Sequence, residues 1–134
     1  MRSVAFRQFL LFGAVGTAGF VVDATVLLAL TATTLVGPLA GRVASYLCAA
    51  TFTWALNRVI TFPDRAGRAS PAQWARFLGA NTVGALANFG IYTWLILEHP
   101  LLPGQPVVAV AIGSLSGLAI NFTLSRSLVF QAGR

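Results

Sequence analysis

The chain has 134 residues, of which 57% are hydrophobic and only 9% are charged, whereas a soluble domain usually carries about 25% charged residues. This composition argues against a soluble enzyme, and the single cysteine, Cys48, excludes a disulfide scaffold. The net charge of +6 comes entirely from arginine but forms no continuous basic stripe, so we expect an integral membrane protein with no nucleic-acid partner.

Four stretches are long and apolar enough for membrane-spanning helices, each of which needs about 20 mostly apolar residues. They cover residues 9–30, 39–60, 77–97 and 107–129. The predicted fold is an all-α membrane protein with four transmembrane helices in a single membrane domain over residues 1–134. Before the third stretch, Ser70 and Pro71 have the pattern of a helix cap and a first helical residue.

The arginines are distributed unequally between the two sides of the predicted bundle. One side holds both termini and the connection between spans two and three, and its arginines are Arg2, Arg7, Arg58, Arg65, Arg68, Arg76, Arg126 and Arg134. Only Arg42 lies toward the other side, so the positive-inside rule predicts that both termini are cytoplasmic. An interfacial aromatic belt is expected at the arginine-rich boundary from Phe6, Phe9, Phe62, Trp74, Phe77 and Phe130.

The two halves of the chain align without a gap at an offset of 68 positions. The matches include Phe9 with Phe77, Val15-Gly16 with Val83-Gly84, Pro38 with Pro106, Arg58 with Arg126, and Phe62 with Phe130. Each half carries two spans, so both halves enter the membrane from the same side. This predicts a parallel tandem repeat of two-helix units, with repeat 1 over about 1–66 and repeat 2 over about 69–134.

Asp23 is the strongest candidate for a functional group inside the membrane. An acid at this depth costs at least about 2.5–3.5 kcal/mol, so it should face the bundle interior and have a partner. Arg42, about one turn inside span two from the same face, is the expected partner. Two interpretations remain open: a structural ion pair between spans one and two, or a gate that responds to protons or substrate.

Arg58 and Arg126 lie at equivalent positions near the cytoplasmic ends of spans two and four. A guanidinium can hold two phosphate oxygens at once, so both are candidate phosphate ligands, although a snorkelling topology signal is the alternative. Four amides lie within the apolar spans, namely Asn57, Asn81, Asn88 and Asn121. Interhelical hydrogen bonding is their simplest role; Asn81 and Asn88 are also candidates for a polar path, and Asn57 and Asn121 for phosphate or sugar contact.

At these residues the chain resembles the GtrA-like family. The resemblance rests on the stretch 7–13, Asp23, the stretch 57–62 that closes span two, and the stretch 121–130 that closes span four. The family's Asn-Phe pair is present as Asn121-Phe122, whereas the first half has Thr53-Trp54 there. The resemblance implies a bacterial inner-membrane protein linked to cell-surface polysaccharide synthesis. Members of the family are proposed to translocate polyprenyl-phosphate-linked sugars, or to assist the glycosyltransferases that make or use them.

The sequence contains no paired carboxylates, nucleotide loop or metal-ligand cluster, so we expect no enzymatic activity, cofactor or metal. The leading hypothesis is translocation of a polyprenyl-phosphate-sugar lipid, with a homodimer as an option because four spans enclose little volume. A non-transporting adaptor of a membrane glycosyltransferase is the alternative. A proton-coupled exporter of cations is disfavoured because the arginines would repel its substrate.

Overall fold

The computed structural model describes residues 2–32, 37–98 and 106–131, and the regular elements within these ranges are all helical. The four α-helices are α1 (Arg2–Ala32), α2 (Pro38–Leu56), α3 (Pro71–Glu98) and α4 (Pro106–Leu124). A single π-helical turn follows α2 (Asn57–Thr61), and another follows α4 (Ser125–Val129). The expected all-α architecture of four helices is confirmed. Arg134, one of the arginines in the charge bias, lies outside the described residues.

The first and third helices are longer than the hydropathy pattern alone indicated, whereas α2 and α4 give way to π turns before the predicted spans end. α1 has 31 residues and begins seven residues before the predicted span, so it rises about 46 Å, against a hydrocarbon core of about 30 Å. By length and composition, two segments are apolar enough to cross a membrane: Ser3–Ala32 and Val107–Val129.

Local sequence explains where α2 and α3 begin. Pro38 opens α2 after Gly37, whose backbone is extended. Pro71 opens α3, and the Ser70 hydroxyl accepts a hydrogen bond from the Gln73 backbone N–H at 3.1 Å. Proline suits the first helical position because its missing N–H would have no partner there. The helix cap predicted at Ser70-Pro71 is therefore confirmed.

The chain divides into two compact units, with the boundary between Gly67 and Arg68. In the first unit, α1 packs against α2 and the π turn that follows it. In the second unit, α3 packs against α4 and the π turn that follows it. Each unit is therefore a helical hairpin whose second helix ends in a π turn.

The π turns direct the closing phenylalanine of each unit into its core. Each π turn is closed by a backbone hydrogen bond between residues five positions apart. The Phe62 N–H donates to the Asn57 carbonyl at 2.8 Å, and the Phe130 N–H donates to the Ser125 carbonyl at 2.8 Å. Both phenylalanines are fully buried. The ring centroids of Phe62 and Phe12 are 6.2 Å apart, and those of Phe130 and Phe77 are 6.0 Å apart, a spacing typical of tilted aromatic pairs.

The predicted interfacial belt is therefore wrong at Phe62, Phe77 and Phe130, which belong to the cores of the units. Position near a span end favours an interfacial ring, but Phe62 and Phe130 each follow a π turn and pack against Phe12 and Phe77 inside their own units. Phe6, by contrast, is 64% exposed, as an interfacial residue would be.

The two units use the same kinds of contact but in a different register from the ungapped alignment. A Cβ on Gly19 would overlap Thr53, and a Cβ on Gly84 would overlap Asn121. On the second helices, Asn121 and Phe130 lie 68 positions after Thr53 and Phe62, as expected.

On the first helices, however, the matching contacts are 65 positions apart: Phe12 corresponds to Phe77, and Gly19 corresponds to Gly84. The matches of Phe9 with Phe77 and of Gly16 with Gly84 are therefore wrong by three residues, or one helical turn. The physical reason is that residues three apart lie on the same helix face, so an apolar pattern fits both registers.

Candidate functional site

An ion pair links α1 and α2 inside the first unit. The Arg42 guanidinium donates through Nη1 to Oδ2 of Asp23, whose side chain is only 16% exposed. Asp23 thus has the partner expected from the sequence. Its other oxygen, Oδ1, is buried and has no hydrogen-bond partner in the described part of the chain. The pair therefore retains one unused acceptor inside the helix hairpin.

Asn88 takes the place of Asp23 in the second unit, since it lies 65 positions later. It faces Gly113, where an added Cβ would come within 2.7 Å of the Asn88 side-chain oxygen. Asn88 also lines a cavity of about 280 Å³ together with Tyr92 and Ser114. The second hairpin thus carries a neutral amide at the matching sequence position, where the first hairpin carries a charged pair.

Arg58 lies in the first π turn and binds the connection that follows it. Its Nη1 donates to the Ala66 carbonyl at 3.1 Å, and its Nη2 donates to the Gly67 carbonyl at 2.8 Å. Its Cζ lies 5.3 Å from the centroid of the Trp54 ring, within the range of a cation–π contact. Gly67 has φ of +56°, which a glycine adopts without strain. The fork of Arg58 therefore holds two loop carbonyls in this structure.

Arg126 occupies the corresponding place in the second π turn and is half-buried. The residue before it, Ser125, is fully buried, and its hydroxyl oxygen has no hydrogen-bond partner among the described residues. One turn earlier, Oδ1 of Asn121 is also buried and unpartnered. Such groups cost about 1–3 kcal/mol each when left dry, so they mark a place where water or a ligand would bind favourably.

The amides predicted to bridge helices bond differently at two positions. The side-chain Oδ1 of Asn57 accepts a hydrogen bond from the Thr61 hydroxyl at 2.7 Å, four residues along the same π turn. The Nδ2 of Asn81 donates to the Phe77 carbonyl at 2.8 Å, within α3. The interhelical role expected for these two is thus not what the structure has, because a partner one turn away is already within reach.

A groove in the second unit was missed by the sequence analysis. It has a volume of about 650 Å³ and is lined by Arg76, Gly79, Ala80, Val83, Leu124, Leu128 and Gln131. The α3 positions follow a spacing of three and four residues, which places them on one helix face. That spacing is visible in the sequence, where the charge of Arg76 contributes to the bias between the two sides but gives no sign of a groove.

The fold and these sites define an all-α membrane protein with polar and charged groups set between its helices. The sequence profile of the family described as GtrA/DPMS, transmembrane domain, matches residues 11–130. Because the match covers most of the chain, the protein belongs to this family. A comparison with curated proteins gives no match.

Proposed function

We propose that the protein translocates polyprenyl-phosphate-linked sugars across the bacterial inner membrane for cell-surface polysaccharide synthesis or glycosylation. Membership of the GtrA/DPMS transmembrane-domain family supports a role in lipid-linked sugar or polysaccharide synthesis, within a family of generally non-catalytic membrane proteins. The observation that carries the proposal is the matched end of each unit, where a π turn presents an arginine beside a buried polar residue. Single π turns within helices are frequent at functional sites.

The reaction that needs assistance is the passage of a phosphate and a sugar through hydrocarbon. Unaided crossing is slow because these groups must shed their water. In the proposed mechanism, each of the π-turn arginines, Arg58 and Arg126, binds the lipid phosphate at the cytoplasmic face. Guanidinium suits this role because its planar fork matches two phosphate oxygens. The neighbouring amides of Asn57 and Asn121 assist in holding the headgroup.

Polar groups deeper in the helices provide the path for the sugar. In the proposal, Asp23 and Arg42 contact the sugar in the first unit, and Asn81 and Asn88 contact it in the second. The unpartnered Oδ1 of Asp23 supports this role, because sugar hydroxyls are donors that would satisfy that oxygen. Most of the isoprenoid tail stays in the lipid, and any net drive comes from substrate gradients or ions.

The arrangement in the membrane is part of the same proposal. All four helices span the bilayer, both termini are cytoplasmic, and the two hairpins form a parallel tandem repeat. The shared contacts of the two units, a glycine seam and an inward phenylalanine in each, support the repeat. A homodimer is an option in this proposal, because a second copy adds further polar groups for the sugar.

A non-transporting adaptor of a polyprenyl-phosphate glycosyltransferase is the second candidate. One observation favours it: the Arg58 fork is engaged by the carbonyls of Ala66 and Gly67, so Arg58 has a structural task whether or not a lipid binds. If the protein is an adaptor, its helix surfaces bind the glycosyltransferase, and substitution of the arginines should have less effect than changes to those surfaces.

Lipid translocation in liposomes separates the two candidates. Purified protein is reconstituted with a polyprenyl-phosphate-sugar, and exposure of the sugar on the far leaflet is followed over time. Arg58→Lys and Arg126→Lys keep the charge but lose the fork, and we expect each to slow translocation about tenfold, the equivalent of 1.4 kcal/mol. Arg68→Lys is the matched control, because Arg68 is exposed outside the helices.

Wild-type protein that accelerates translocation, while both lysine variants fold but fail to do so and Arg68→Lys is unchanged, supports the translocator and its phosphate ligands. Lysine variants that transport like wild type refute phosphate binding by the fork. Folded wild-type protein that gives no acceleration refutes translocation. The adaptor then predicts that removing the protein lowers glycosyltransferase activity in membranes.

A further inference from the structure

The groove between α3 and α4 combines one charged end with apolar walls. Arg76 lies near the start of α3, and Gln131 follows the π turn that ends α4. These two ends are adjacent, since the Gln73 side chain donates to the Val129 carbonyl at 3.4 Å. From this polar end, the groove extends to Val83, about 10 Å along the axis of α3. The walls between are formed by glycine, alanine, valine and leucine side chains.

Arg76 is a cation for which the described residues supply no hydrogen bond or ion pair, and its side chain is exposed. The Nε2 of Gln131 donates to the Ser127 carbonyl at 3.0 Å, which fixes the amide at the same end of the groove. A guanidinium at the mouth of an apolar groove attracts an anion that carries an apolar chain, because such a molecule satisfies both surfaces at once.

The first unit has different residues at the corresponding places. The contacts of α1 and α3 match at an offset of 65 positions. At that offset the first unit has Leu11, Ala14 and Val15, and the second unit has Arg76, Gly79 and Ala80 in their places. Pro63 stands where the second unit has Gln131. The hairpin therefore packs without a cation or an amide there, and the polar end of the groove is an additional feature of the second unit.

We propose that this groove binds one single-chain lipid phosphate, with the phosphate on Arg76 and the first part of the chain against Gly79, Ala80 and Leu128. One groove and one cation fit one chain and one phosphate, whereas a glycerophospholipid brings two chains. The proposal rests on the proposed function for the identity of the chain, which is isoprenoid. It adds a binding site for a lipid phosphate and the first part of its chain, confined to the second unit and separate from the phosphate contacts proposed at the π turns.

Binding to the purified full-length protein in detergent tests the site without any transport. The probes are a polyprenyl phosphate carrying a photo-crosslinking group on its chain, the corresponding polyprenol, and phosphatidylglycerol as a two-chain competitor. Crosslinked peptides are located by mass spectrometry. We expect crosslinks of the polyprenyl phosphate in α3 and α4, and weak competition by phosphatidylglycerol.

Two matched pairs of variants separate charge from shape. Arg76→Gln is compared with Arg68→Gln, which removes the same charge outside the groove. Gly79→Leu is compared with Gly90→Leu, because a Cβ at either glycine meets no atom within 4 Å and Gly90 lies outside the groove lining. We expect Arg76→Gln to weaken polyprenyl-phosphate binding about tenfold, or 1.4 kcal/mol, without affecting the polyprenol. Gly79→Leu should weaken both lipids.

Equal binding by the Arg76 and Arg68 variants, crosslinks confined to other helices, or competition by phosphatidylglycerol at equal concentration each overturns the proposal. If Gly79→Leu fails to fold by circular dichroism, the wild-type crosslinking map and the Arg76 pair decide. Normal lipid binding without translocation refutes the proposed function and leaves this site standing. Translocation without lipid binding in the groove refutes this site and leaves the proposed function standing.

Discussion

At the level of single residues, Asp23 and Arg42 show how a charged pair is accommodated between helices. A carboxylate inside a membrane helix is expensive unless it has a partner, and Arg42 supplies one across the α1–α2 contact. Arg42 itself is 54% exposed, so the pair joins a nearly buried acid to a base with freedom to move. That asymmetry suits either a structural tie or a gate that opens by withdrawing the arginine.

We expect Asp23→Asn to lower the free energy of unfolding by about 1–2 kcal/mol, because Arg42 loses its charged partner. Asp23→Asn combined with Arg42→Gln should cost less than the sum of the two single changes. Denaturant titration of purified protein in micelles measures this double-mutant cycle. Additive effects would show that the two side chains are not energetically coupled. If Asp23→Asn changes neither the stability nor the transport rate, the pair is neither a structural tie nor a gate.

The inward phenylalanines give a second residue-level test. Phe130 is fully buried against Phe77, so Phe130→Ala should cost about 3–5 kcal/mol through lost contacts and a cavity. Phe6→Ala is the control, because Phe6 is exposed and its loss should change stability by less than about 0.5 kcal/mol. Thermal unfolding of the two variants compares them directly. Equal losses of stability would mean that Phe130 lies at an interface and not in the core.

At the level of elements, the α3–α4 hairpin depends on small residues along its seam. A Cβ on Gly117 would come within 2.8 Å of the Gly84 carbonyl oxygen and 2.9 Å of Asn88 Cβ. Close backbone approach of this kind is how membrane helices gain packing energy without a hydrophobic driving force. The seam therefore fixes both the spacing of the helices and their register.

Gly117→Ala should destabilise the hairpin by about 1–3 kcal/mol, because the backbone of α3 cannot rotate away as a side chain could. Gly90→Ala on α3 meets no atom within 4 Å and should be neutral or slightly stabilising, since alanine favours helix over glycine. Unfolding in micelles monitored by circular dichroism provides the comparison. A Gly117→Ala protein as stable as Gly90→Ala would contradict the close approach.

The start of α3 provides another element-level prediction. Ser70→Ala removes the hydroxyl that accepts the Gln73 N–H and should cost about 1 kcal/mol of stability, whereas Ser70→Asp should retain most of it. Hydrogen exchange of the first-turn amides of α3 measures the local effect. Unchanged exchange in the alanine variant would show that the cap contributes nothing.

At the level of the whole molecule, topology is the property that the proposed function requires. The test starts from Cys48→Ser, which removes the single natural cysteine, and adds one cysteine at a time in place of Ser3, Arg68 or Glu98. We expect a membrane-impermeant thiol reagent to label positions 3 and 68 from the cytoplasmic side and position 98 from the opposite side. Labelling of position 98 from the cytoplasm would mean that α3 does not span the membrane.

Part of this architecture is determined by the sequence alone, and the physical reason is the bilayer. Long apolar stretches must form helices because hydrocarbon satisfies no backbone hydrogen bonds, so four helices and their approximate positions follow from hydropathy. The partner of Asp23 could also be predicted, since a charged side chain at that depth needs one and Arg42 is the nearest at the same level. The helix start at Ser70-Pro71 could be predicted as well, because a serine cap and a proline at the first helical position depend only on neighbouring residues.

Packing between helices decided the rest. The one-turn shift that pairs Phe12 with Phe62, the inward turn of Phe130 and the groove headed by Arg76 all depend on which side chains interlock. Valine, leucine and alanine repeat on every face, and residues three apart share a face, so the apolar pattern is compatible with more than one register. Only the tertiary contacts, with Gly19 against Thr53 and Gly84 against Asn121, select one, because close packing discriminates between side chains that hydropathy treats as equal.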